Sequence, residues 1–418
     1  MQAQVVIIAG GKGTRIASIA SDIPKSMIPI AGKPVVEYQI ELAKRYGYKN
    51  ILFMIGHLGD QIKRYFGNGE KWGVNIEYYL EDAPMGTAGA LPFVKEILAE
   101  TFFVFYGDTI MDFDMTEMMK FHVEHEASAT LFLHPNDHPY DSDLVETDFN
   151  GIIKKFIFKP HDELLMYRNL VNAALYVMDK KCIDYIPEGK CAMEKELFPR
   201  LLDANEKLAA YASPEYIKDM GTPDRWEHVT ADVVSGKVKR LNRKYKRPAV
   251  FLDRDGVISK EIDLLHKVEQ LELIDGAADA ISLINKSGYL AIVVTNQPVI
   301  ARNLCSFEEL QNIHNRMETL LGEKHAYLDA IYFCPHHPDK GYPEERVEYK
   351  IDCSCRKPKP GMLLKAAEDL NINMSESFMI GDRPQDIQAG NAANVKSSIL
   401  IETNVSNALL NAVKKLAL

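Results

Sequence analysis

Short apolar runs alternate with amphipathic stretches along the chain, and this alternation begins twice. In the first half, the predicted strands are 4–9, 50–55, 76–80 and 102–106, and the predicted helices are 35–45 and 58–66. The pattern restarts at "AVFLDRDG", and the later predicted strands are 289–295, 330–333, 377–380 and 398–401. Strands that alternate with helices form mainly parallel sheets with helices on both faces. We therefore predict an α/β protein with two doubly wound domains.

A basic segment separates the two patterns. Residues 235–248, "SGKVKRLNRKYKRP", carry seven Lys or Arg and little apolar material. This composition could form a nucleic-acid patch, but its place between two complete patterns favours a solvated linker or a terminal helix. A chain of 418 residues is also too long for one ordinary core. We predict one domain at 1–234, a basic linker at 235–248 and a second domain at 249–418.

The charge and the apolar runs limit the partners. The net charge is −10, whereas a general nucleic-acid binder usually presents a basic face. No apolar run is long enough to span a bilayer, and the N-terminus lacks the basic start and the cleavage site of a signal peptide. We expect a cytoplasmic protein with no nucleic-acid and no membrane partner. Stable disulfides are rare in that compartment.

The first strand ends in a glycine-rich loop, "AGGKGTR". Gly10, Gly11 and Gly13 let the backbone approach a phosphate closely, and Arg15 adds positive charge. The spacing fits neither the dinucleotide-binding nor the Walker motif, and a tight turn alone would also explain the glycines. The loop therefore indicates a phosphate site only together with other motifs.

Three such motifs follow in order. Lys25 lies in "PKSMIPIAGKP", Asp108 follows the apolar run "FFVFY", and Asp219 lies in "YIKDMGTP". Ligands of open α/β sheets bind at the carboxyl ends of strands, where both carboxylates are predicted. Two carboxylates there could share a Mg²⁺ that bridges phosphates.

This ordered set resembles the sugar-1-phosphate nucleotidyltransferases over about residues 1–230. The resemblance implies a Rossmann-like sheet, phosphate binding by Arg15 and Lys25, and Mg²⁺ binding by Asp108 and Asp219. The residues that it implies at the base and the sugar are Gly86, Lys159, Asn172, Glu194 and Lys195. The family often has Glu-Lys before Pro, where this chain has Phe-Lys. The implied reaction is in-line attack of a sugar 1-phosphate on the α-phosphorus of an NTP, with release of pyrophosphate.

Glu81 precedes the "APMGTAG" motif and bears on the choice of base. An ionised carboxylate only accepts hydrogen bonds, and guanine presents two neighbouring donors, N1–H and the N2 amine. Uracil and thymine lack that pair, so we predict GTP as the substrate. A Glu81 that merely faces solvent is the alternative.

Polar residues also follow the predicted strands of the second domain. Asp253 and Asp255 lie two apart after "AVFL", so both can point into one site. A capping turn would explain this pair alone. The other residues at strand ends or in the adjoining "RKPKPGM" loop are Thr295, Asn296, Lys357, Asp382 and Asp386. The order and spacing of the whole set favour a catalytic crevice.

The set resembles the haloacid-dehalogenase-type phosphatases over about residues 248–404. The resemblance implies a Rossmannoid sheet in which Asp253 is the nucleophile and Asp255 is the general acid and base. Thr295 and Lys357 would neutralise phosphoryl oxygens. Asp382, with Asp253 and the backbone carbonyl of Asp255, would hold Mg²⁺.

Half of the six cysteines fall in one short region, "CPHHPD" to "CSCRKPKPG". Cys334, His336, Cys353 and Cys355 give the spacing C-x-H-x16-C-x-C, which suits a closed tetrahedral Zn²⁺ site with a structural role. His337 is the alternative imidazole. A redox dithiol is the rival interpretation, but C-x-C is not C-x-x-C and leaves His336 unexplained.

Within that superfamily, this region resembles the heptose-1,7-bisphosphate 7-phosphatases and the related histidinol phosphatases. The resemblance implies that Arg356 and Lys357 approach the phosphosugar. It also implies a substrate-binding role for Arg383, where the family commonly has Lys after Gly-Asp. Arginine keeps the charge but is larger and forked.

The two resemblances constrain each other, because a 7-phosphatase yields the heptose 1-phosphate that a sugar-1-phosphate nucleotidyltransferase would use. We therefore expect a bifunctional enzyme that makes an NDP-heptose, foremost GDP-D-glycero-α-D-manno-heptose. The alternatives are a hexose-1-phosphate guanylyltransferase fused to another phosphatase, such as a histidinol phosphatase, and a non-catalytic scaffold. The nucleotide, the anomer and a homo-oligomeric state stay open.

Overall fold

The computed structural model describes residues 4–11, 16, 19, 22–162, 165–341, 343–416 and 418. The chain forms two compact units. The first comprises Met1–Leu133, Val145–Phe156 and Asn172–Asn242, and the second comprises His134–Leu144, Ile157–Val171 and Arg243–Leu418. Within the described part of the chain, no helix combines the length and the apolar composition needed to cross a membrane.

The first unit is built on a nine-stranded sheet. The strands of this half are β1 (Gln4–Ala9), β2 (Pro29–Ile30), β3 (Lys33–Pro34), β4 (Asn50–Ile55), β5 (Asn75–Leu80), β6 (Thr101–Tyr106), β7 (Thr109–Asp112), β8 (Ala129–His134), β9 (Leu144–Thr147), β10 (Ile153–Ile157), β11 (Val171–Asp179), β12 (Leu208–Ala212) and β13 (Tyr216–Asp219). The helices are α1 (Val35–Arg45), α2 (Gly59–Phe66), α3 (Met115–Glu124), α4 (Phe198–Asp203), α5 (Pro223–Val234) and α6 (Lys237–Arg240). Short 3₁₀ segments and a π-helical turn, Met193–Leu197, complete it.

The centre of this sheet is parallel and fully buried. Its main path runs β10-β9-β11-β6-β1-β4-β5, with β8 and β12 joined beside β11. Strand β1 pairs in parallel with both β4 and β6, so the carboxyl ends of all three meet at one edge. Buried on both faces, β1 and β6 read as continuous apolar runs rather than as alternating ones. Strand β11 then pairs antiparallel with β6.

The second unit contains a five-stranded sheet in the order β16-β15-β14-β17-β18, and all of its described pairings are parallel. The strands are β14 (Ala249–Leu252), β15 (Leu290–Asn296), β16 (Ala330–Cys334), β17 (Phe378–Gly381) and β18 (Ser397–Leu400). The helices are α7 (Ala277–Ser287), α8 (Phe307–Gly322), α9 (Gly361–Leu370), α10 (Pro384–Ala392) and α11 (Ala408–Lys415). The predicted class of two doubly wound α/β domains is confirmed, and the predicted strand bounds agree within about one residue.

Two features of the chain path carried no sequence signal. The segments 134–144 and 157–171 come from the first half but group with the second unit. There the backbone N–H of Tyr167 donates to Thr319 on α8 at 3.0 Å. The predicted linker 235–248 also contains helix α6 and the buried Asn242, which donates to Asp112 at 2.6 Å, so it is not solvated throughout. The domain bounds at 234 and 249 stay a prediction.

Candidate active sites and metal centre

The predicted nucleotide site of the first unit lies where β1 and β5 end. Glu81 directly follows β5, and its carboxylate reaches Gly10, where a Cβ atom would lie 3.1 Å from Oε1. Its Oε2 accepts a hydrogen bond from the backbone N–H of Met85 at 3.3 Å. Partial burial raises the pKa of Glu81. Gly11 is exposed, and the predicted Gly13 and Arg15 lie outside the described residues.

Lys25, Asp108 and Asp219 lie on connected segments. Thr109, next to Asp108, pairs with Asp219 in the β7–β13 ladder, and the backbone N–H of Met220 donates to the Asp108 carbonyl at 3.1 Å. Lys25 Nζ donates to the Asp108 carboxylate, and Arg225 bonds both Asp219 oxygens at 2.7 and 2.8 Å. The two carboxylates thus lie on hydrogen-bonded segments, and each bonds a cation of the protein, so a Mg²⁺ shared by Asp108 and Asp219 stays a prediction.

The buried Gln39 of α1 supports this edge and was missed from the sequence. Its Nε2 donates to the carbonyls of Tyr106 at 2.8 Å and Thr109 at 2.7 Å, which flank the Asp108 turn. A single glutamine inside an amphipathic helix gave no signal for this role.

The predicted sugar loop packs on the turn that carries Glu194. Gly86 has φ +79°, and a Cβ there would lie 2.4 Å from the carbonyl oxygen of Cys191, so only glycine fits. The Thr87 hydroxyl accepts from the backbone N–H of Met193 at 2.7 Å. The loop and the turn therefore form one surface.

The other predicted sugar residues divide into two groups. Asn172 and Glu194 are joined through the hydroxyl of Tyr176, which accepts from Asn172 Nδ2 at 3.0 Å and donates to Glu194 Oε1 at 2.8 Å. Lys195, beside Glu194, is exposed. Lys159 belongs to the segment that groups with the second unit, and its Nζ bonds Asp141 at 3.0 and 3.1 Å. The role of Lys159 at the sugar stays a prediction.

In the second unit, β14 and β17 are adjacent and present a buried acidic cluster. Lys357 Nζ lies 2.9 Å from Asp253 Oδ1 and 2.6 Å from Asp386 Oδ1. Burial alone would lower the pKa of Lys357, but the two carboxylates raise it above its ordinary value. Burial raises the pKa of Asp253 and Lys357 opposes that shift. Asp386, for which no separate role was predicted, thus anchors Lys357.

Asn296 positions the same lysine from β15. Its side chain donates to the Lys357 carbonyl at 3.1 Å and accepts from the Lys357 backbone N–H at 3.0 Å. Asn296 is predicted to contact the phosphosugar. These two hydrogen bonds show that it also holds the "RKP" loop.

Asp255 is held by three neighbours that the sequence did not single out. The buried Arg254 forms two hydrogen bonds to it at 2.9 and 2.8 Å, Gln297 donates at 2.9 Å and Ser259 at 3.1 Å. Burial alone would raise the pKa of Asp255, but Arg254 and the other donors lower it. Gln297 also donates to Thr295 Oγ1 at 2.9 Å, which links Asp255 to the end of β15.

Asp382 offers a free metal-binding atom. Its Oδ2 accepts from Thr403 at 2.8 Å, whereas its Oδ1 is buried with no hydrogen-bond partner among the described residues. The carboxylates of Asp253, Asp382 and Asp386 come within 4.8 Å of one another. An orphaned buried oxygen beside clustered carboxylates fits Mg²⁺, a hard cation that takes oxygen ligands.

A cavity of about 100 Å³ opens over these residues. Its polar lining consists of Asp253, Asp255, Glu261, Asp263, Thr295, Asn296, Gln297, Arg356, Arg383 and Gln385. Arg383 bonds Glu261 at 2.7 Å across this lining. Both arginines implied by the resemblance thus line the same cavity as Asp253, the predicted nucleophile.

The four predicted zinc ligands form one cluster. The Sγ atoms of Cys334, Cys353 and Cys355 lie 3.2–3.5 Å apart, and His336 Nδ1 lies 3.6 Å from Cys334 Sγ and 3.3 Å from Cys355 Sγ. His337 instead accepts from the backbone N–H of Asp339. Three sulfurs and one imidazole nitrogen at these separations fit the edges of a tetrahedral Zn²⁺ site, with His336 as the imidazole ligand.

The Cys₃His cluster also contacts the "RKP" loop, through Arg356. The backbone N–H of Arg356 donates to Cys353 Sγ at 3.3 Å, and its guanidinium donates to the His336 carbonyl at 3.1 Å. Hydrogen bonding from Cys334 lowers the pKa of Cys355 to about 5, so a thiolate is favoured there. The remaining cysteines, Cys182, Cys191 and Cys305, are buried and free, as expected for core thiols.

Comparison with known proteins identifies both units. The nucleotidyl transferase family matches residues 4–236, and a HAD-hydrolase-like family matches residues 354–415. D-glycero-beta-D-manno-heptose-1,7-bisphosphate 7-phosphatase from Pasteurella multocida is 41% identical over 157 residues, which cover 38% of this chain and 83% of the relative. The chain belongs to the nucleotidyl transferase family and, in its C-terminal part, to the family of these phosphatases. The predicted pairing of the two enzyme classes is confirmed.

Further similar proteins each cover a part of the chain. The Escherichia coli K12 protein of the same phosphatase name is 43% identical over 156 residues, covering 37% of this chain and 80% of the relative. HddC from Yersinia pseudotuberculosis has a solved structure with 24% identity and a TM-score of 0.49, covering 55% of this chain and 99% of that one. Its complex with GMP-PN has the same identity and coverage and a TM-score of 0.47.

Proposed function

We propose that this bifunctional enzyme performs two consecutive steps in the synthesis of a nucleotide-activated heptose. The second unit removes the 7-phosphate of D-glycero-D-manno-heptose 1,7-bisphosphate. The first unit transfers GMP from GTP to the resulting heptose 1-phosphate and releases pyrophosphate. The observation that carries the proposal is the close match of the second unit to heptose-bisphosphate phosphatases in a chain whose first unit belongs to the nucleotidyl transferases.

The phosphatase step begins at Asp253. Its carboxylate attacks the phosphorus, the bond to the sugar oxygen breaks, and Asp255 gives that oxygen its proton. Water then attacks the aspartyl phosphate, Asp255 takes the proton from water, and phosphate leaves. Lys357, 2.9 Å from Asp253, neutralises phosphoryl charge, and Thr295 donates from the end of β15. Mg²⁺ held by Asp253, Asp382 and the Asp255 carbonyl would neutralise the remaining charge.

The lowered pKa of Asp255 bears on the order of its roles. Its bond to Arg254 favours the ionised form, which is the form that accepts the proton of water in the second step. In the first step Asp255 must carry a proton, so binding of the dianionic 7-phosphate group has to raise its pKa. Anions close to a carboxyl group have that effect.

The transferase step needs positioning rather than covalent chemistry. We propose that Lys25 and Arg15 bind the triphosphate and that Asp108 and Asp219 hold the Mg²⁺ that would neutralise it. The sugar 1-phosphate oxygen attacks the α-phosphorus as pyrophosphate leaves in line. No proton is transferred to the enzyme in this scheme.

The guanine preference rests on Glu81. Its carboxylate lies against Gly10 at the start of the predicted phosphate loop, and we expect the base of a bound NTP to contact it there. With Oε2 held by the Met85 N–H, the carboxylate has a fixed orientation from which it can accept guanine N1–H and N2–H. Half-burial strengthens such bonds.

The metal cluster, the compartment and the anomer of the substrate complete the proposed function. Zn²⁺ at the Cys₃His cluster would be structural and closed, since four protein ligands fill its tetrahedron. We propose a cytoplasmic enzyme because its nucleotide substrate is made there. The relatives carry the beta anomer in their names, and the expected GDP-heptose is α-configured, so both anomers of the bisphosphate are tested.

Two assays with the full chain and Mg²⁺ test the proposal. Phosphate release is compared between the two heptose 1,7-bisphosphate anomers, histidinol phosphate and hexose phosphates, and we expect a heptose anomer to be preferred. Pyrophosphate release from heptose 1-phosphate is then compared among the four NTPs, and we expect GTP to be fastest. Preference for histidinol phosphate, or for UTP or ATP, would overturn the corresponding half.

A further inference from the structure

Two tyrosines share one oxygen of Glu194 in the first unit. Tyr106, the last residue of β6, donates its hydroxyl to Glu194 Oε1 at 2.5 Å, and Tyr176 of β11 donates to the same oxygen at 2.8 Å. The rings meet edge to face with centroids 6.0 Å apart. The residues come from three separate segments of the chain, so the arrangement depends on the tertiary fold.

The direction of each hydrogen bond is fixed by the chemistry of the groups. An ionised carboxylate only accepts, so both phenols must donate to Glu194. The Tyr176 oxygen is then free to accept from Asn172 Nδ2 at 3.0 Å, and Asn172 Oδ1 accepts from the Ala174 N–H at 3.3 Å. Thr87 of the "PMGTAG" loop hydrogen-bonds Tyr106 at the other end. A continuous chain runs from Thr87 to Asn172.

We infer that Tyr106 and Tyr176 are positioning residues for sugar recognition, acting through Glu194 and Asn172. The two phenols occupy Glu194 Oε1 and leave Oε2 to accept hydroxyls of the sugar 1-phosphate. The inference deepens the proposed transferase function and rests on it, because it names how that site selects its sugar. It adds two residues to which neither sequence motif assigned a role.

Burial makes this arrangement rigid. Tyr176 is completely buried, and desolvation followed by the nearby Glu194 charge raises the pKa of both phenols well above 10, so they stay protonated as donors. Rotation of the Glu194 carboxylate would leave the buried phenol donors without an acceptor. The loss of a hydrogen-bond partner by a buried group costs free energy, so this rotation is disfavoured. A carboxylate with one orientation can distinguish the configuration of neighbouring sugar hydroxyls.

The test uses Tyr176→Phe and Tyr106→Phe in the full-length enzyme. The matched control is Tyr185→Phe, which removes a hydroxyl that donates to Glu206 at 2.8 Å elsewhere in the same unit. We expect each site variant to raise KM for the sugar 1-phosphate about tenfold, with KM for GTP and the phosphatase rate within twofold of wild type. Thermal unfolding is recorded for all three variants.

A double-mutant cycle separates positioning from a general loss of stability. In the Glu194→Gln background, adding Tyr176→Phe should change KM for the sugar less than twofold, because the two residues act as one unit. Effects that add fully, or equal changes in KM for GTP and for the sugar, would overturn the inference. The assays use the sugar 1-phosphate that wild type accepts best, so a hexose preference would overturn the heptose proposal and leave this test intact.

Discussion

The two candidate active-site regions differ in how deeply their described charged side chains are buried. In the second unit, Asp253 and Lys357 are only 7% and 1% exposed and already lie within salt-bridge distance. In the first, the side chains of Asp108 and Asp219 are 27% and 42% exposed, and each faces a cation of the protein rather than its partner carboxylate. The described charges of the second unit are buried, whereas those of the first unit are partly exposed.

The difference follows from the two reactions. Formation of a covalent intermediate requires that the nucleophile, the general acid and the counter-charge are held close to the reacting phosphate. Burial holds them in place, although it also brings like charges together. An in-line transfer between two bound substrates forms no covalent bond to the protein. The charged side chains of that site can therefore take their final positions when the triphosphate and its metal bind. We therefore expect single-atom changes to reduce activity strongly at the buried site. At the partly exposed site, we expect the arrangement of the side chains to depend on ligand binding.

The largest expected effect is that of Asp253→Asn. It replaces the nucleophilic oxygen with an amide, so phosphatase kcat should fall at least about 10³-fold. The transferase rate should stay within twofold of wild type. Asp279→Asn, on the exposed face of α7, is the matched control and should change neither rate. Loss of both activities without unfolding would show that the two sites are not independent.

Disruption of the Cys₃His cluster should have the second-largest effect, on the stability of the second unit. Cys355→Ser, or a chelator, would remove the Zn²⁺ that we propose at this cluster, and we expect roughly 3 kcal/mol or more of lost stability. Phosphatase activity should fall with it because Arg356 bonds both Cys353 and His336. Ser354→Ala, between the two cysteines and exposed, serves as the control in denaturant unfolding. A fully stable, metal-free protein would contradict a zinc-dependent loop.

A smaller effect concerns pH and the buried charges of the second unit. Burial raises the pKa of Glu318 to about 7, against the opposing charge of Arg168. The folded state then binds the proton more tightly than the unfolded state, so stability should fall as pH rises from about 4.5 to 7, by on the order of 2 kcal/mol. Glu318→Gln should flatten this decline in urea unfolding, and Glu308→Gln on the exposed side of α8 should not. An unchanged slope in Glu318→Gln would contradict the assignment.

The smallest predicted effect is on nucleotide choice. Glu81→Gln replaces one acceptor oxygen with a donor, so kcat/KM for GTP should fall about tenfold while that for UTP changes little. Glu77→Gln, an exposed change on the same strand β5, is the control. Equal losses for all four NTPs would show that Glu81 does not read the base.

Strand-end residues were predictable because a parallel sheet brings them together. Asp253, Thr295 and Asp382 each follow an apolar run, and adjacency of β14, β15 and β17 then places them at one edge. The cysteine spacing likewise indicated the metal cluster, although the choice of His336 over His337 needed the geometry. Local sequence is sufficient where a motif lies at a fixed position in the fold.

Contacts between distant segments were not predictable in this way. Tyr106 and Glu194 are 88 residues apart, and a tyrosine at the end of an apolar run looks like ordinary core. Lys159 matched a family motif, yet it bonds Asp141 in a segment that groups with the second unit. Neither outcome has a signature in composition or periodicity, because both depend on how the chain path folds back.

One reaction mixture tests the central claim most directly. The full-length enzyme is incubated with heptose 1,7-bisphosphate, Mg²⁺ and all four NTPs, and the products are identified by mass. We predict free phosphate, pyrophosphate and a single GDP-heptose, with Asp253→Asn blocking all three. Accumulation of heptose 1-phosphate without any nucleotide sugar, or of a nucleotide sugar that still carries the 7-phosphate, would contradict two consecutive steps by one chain.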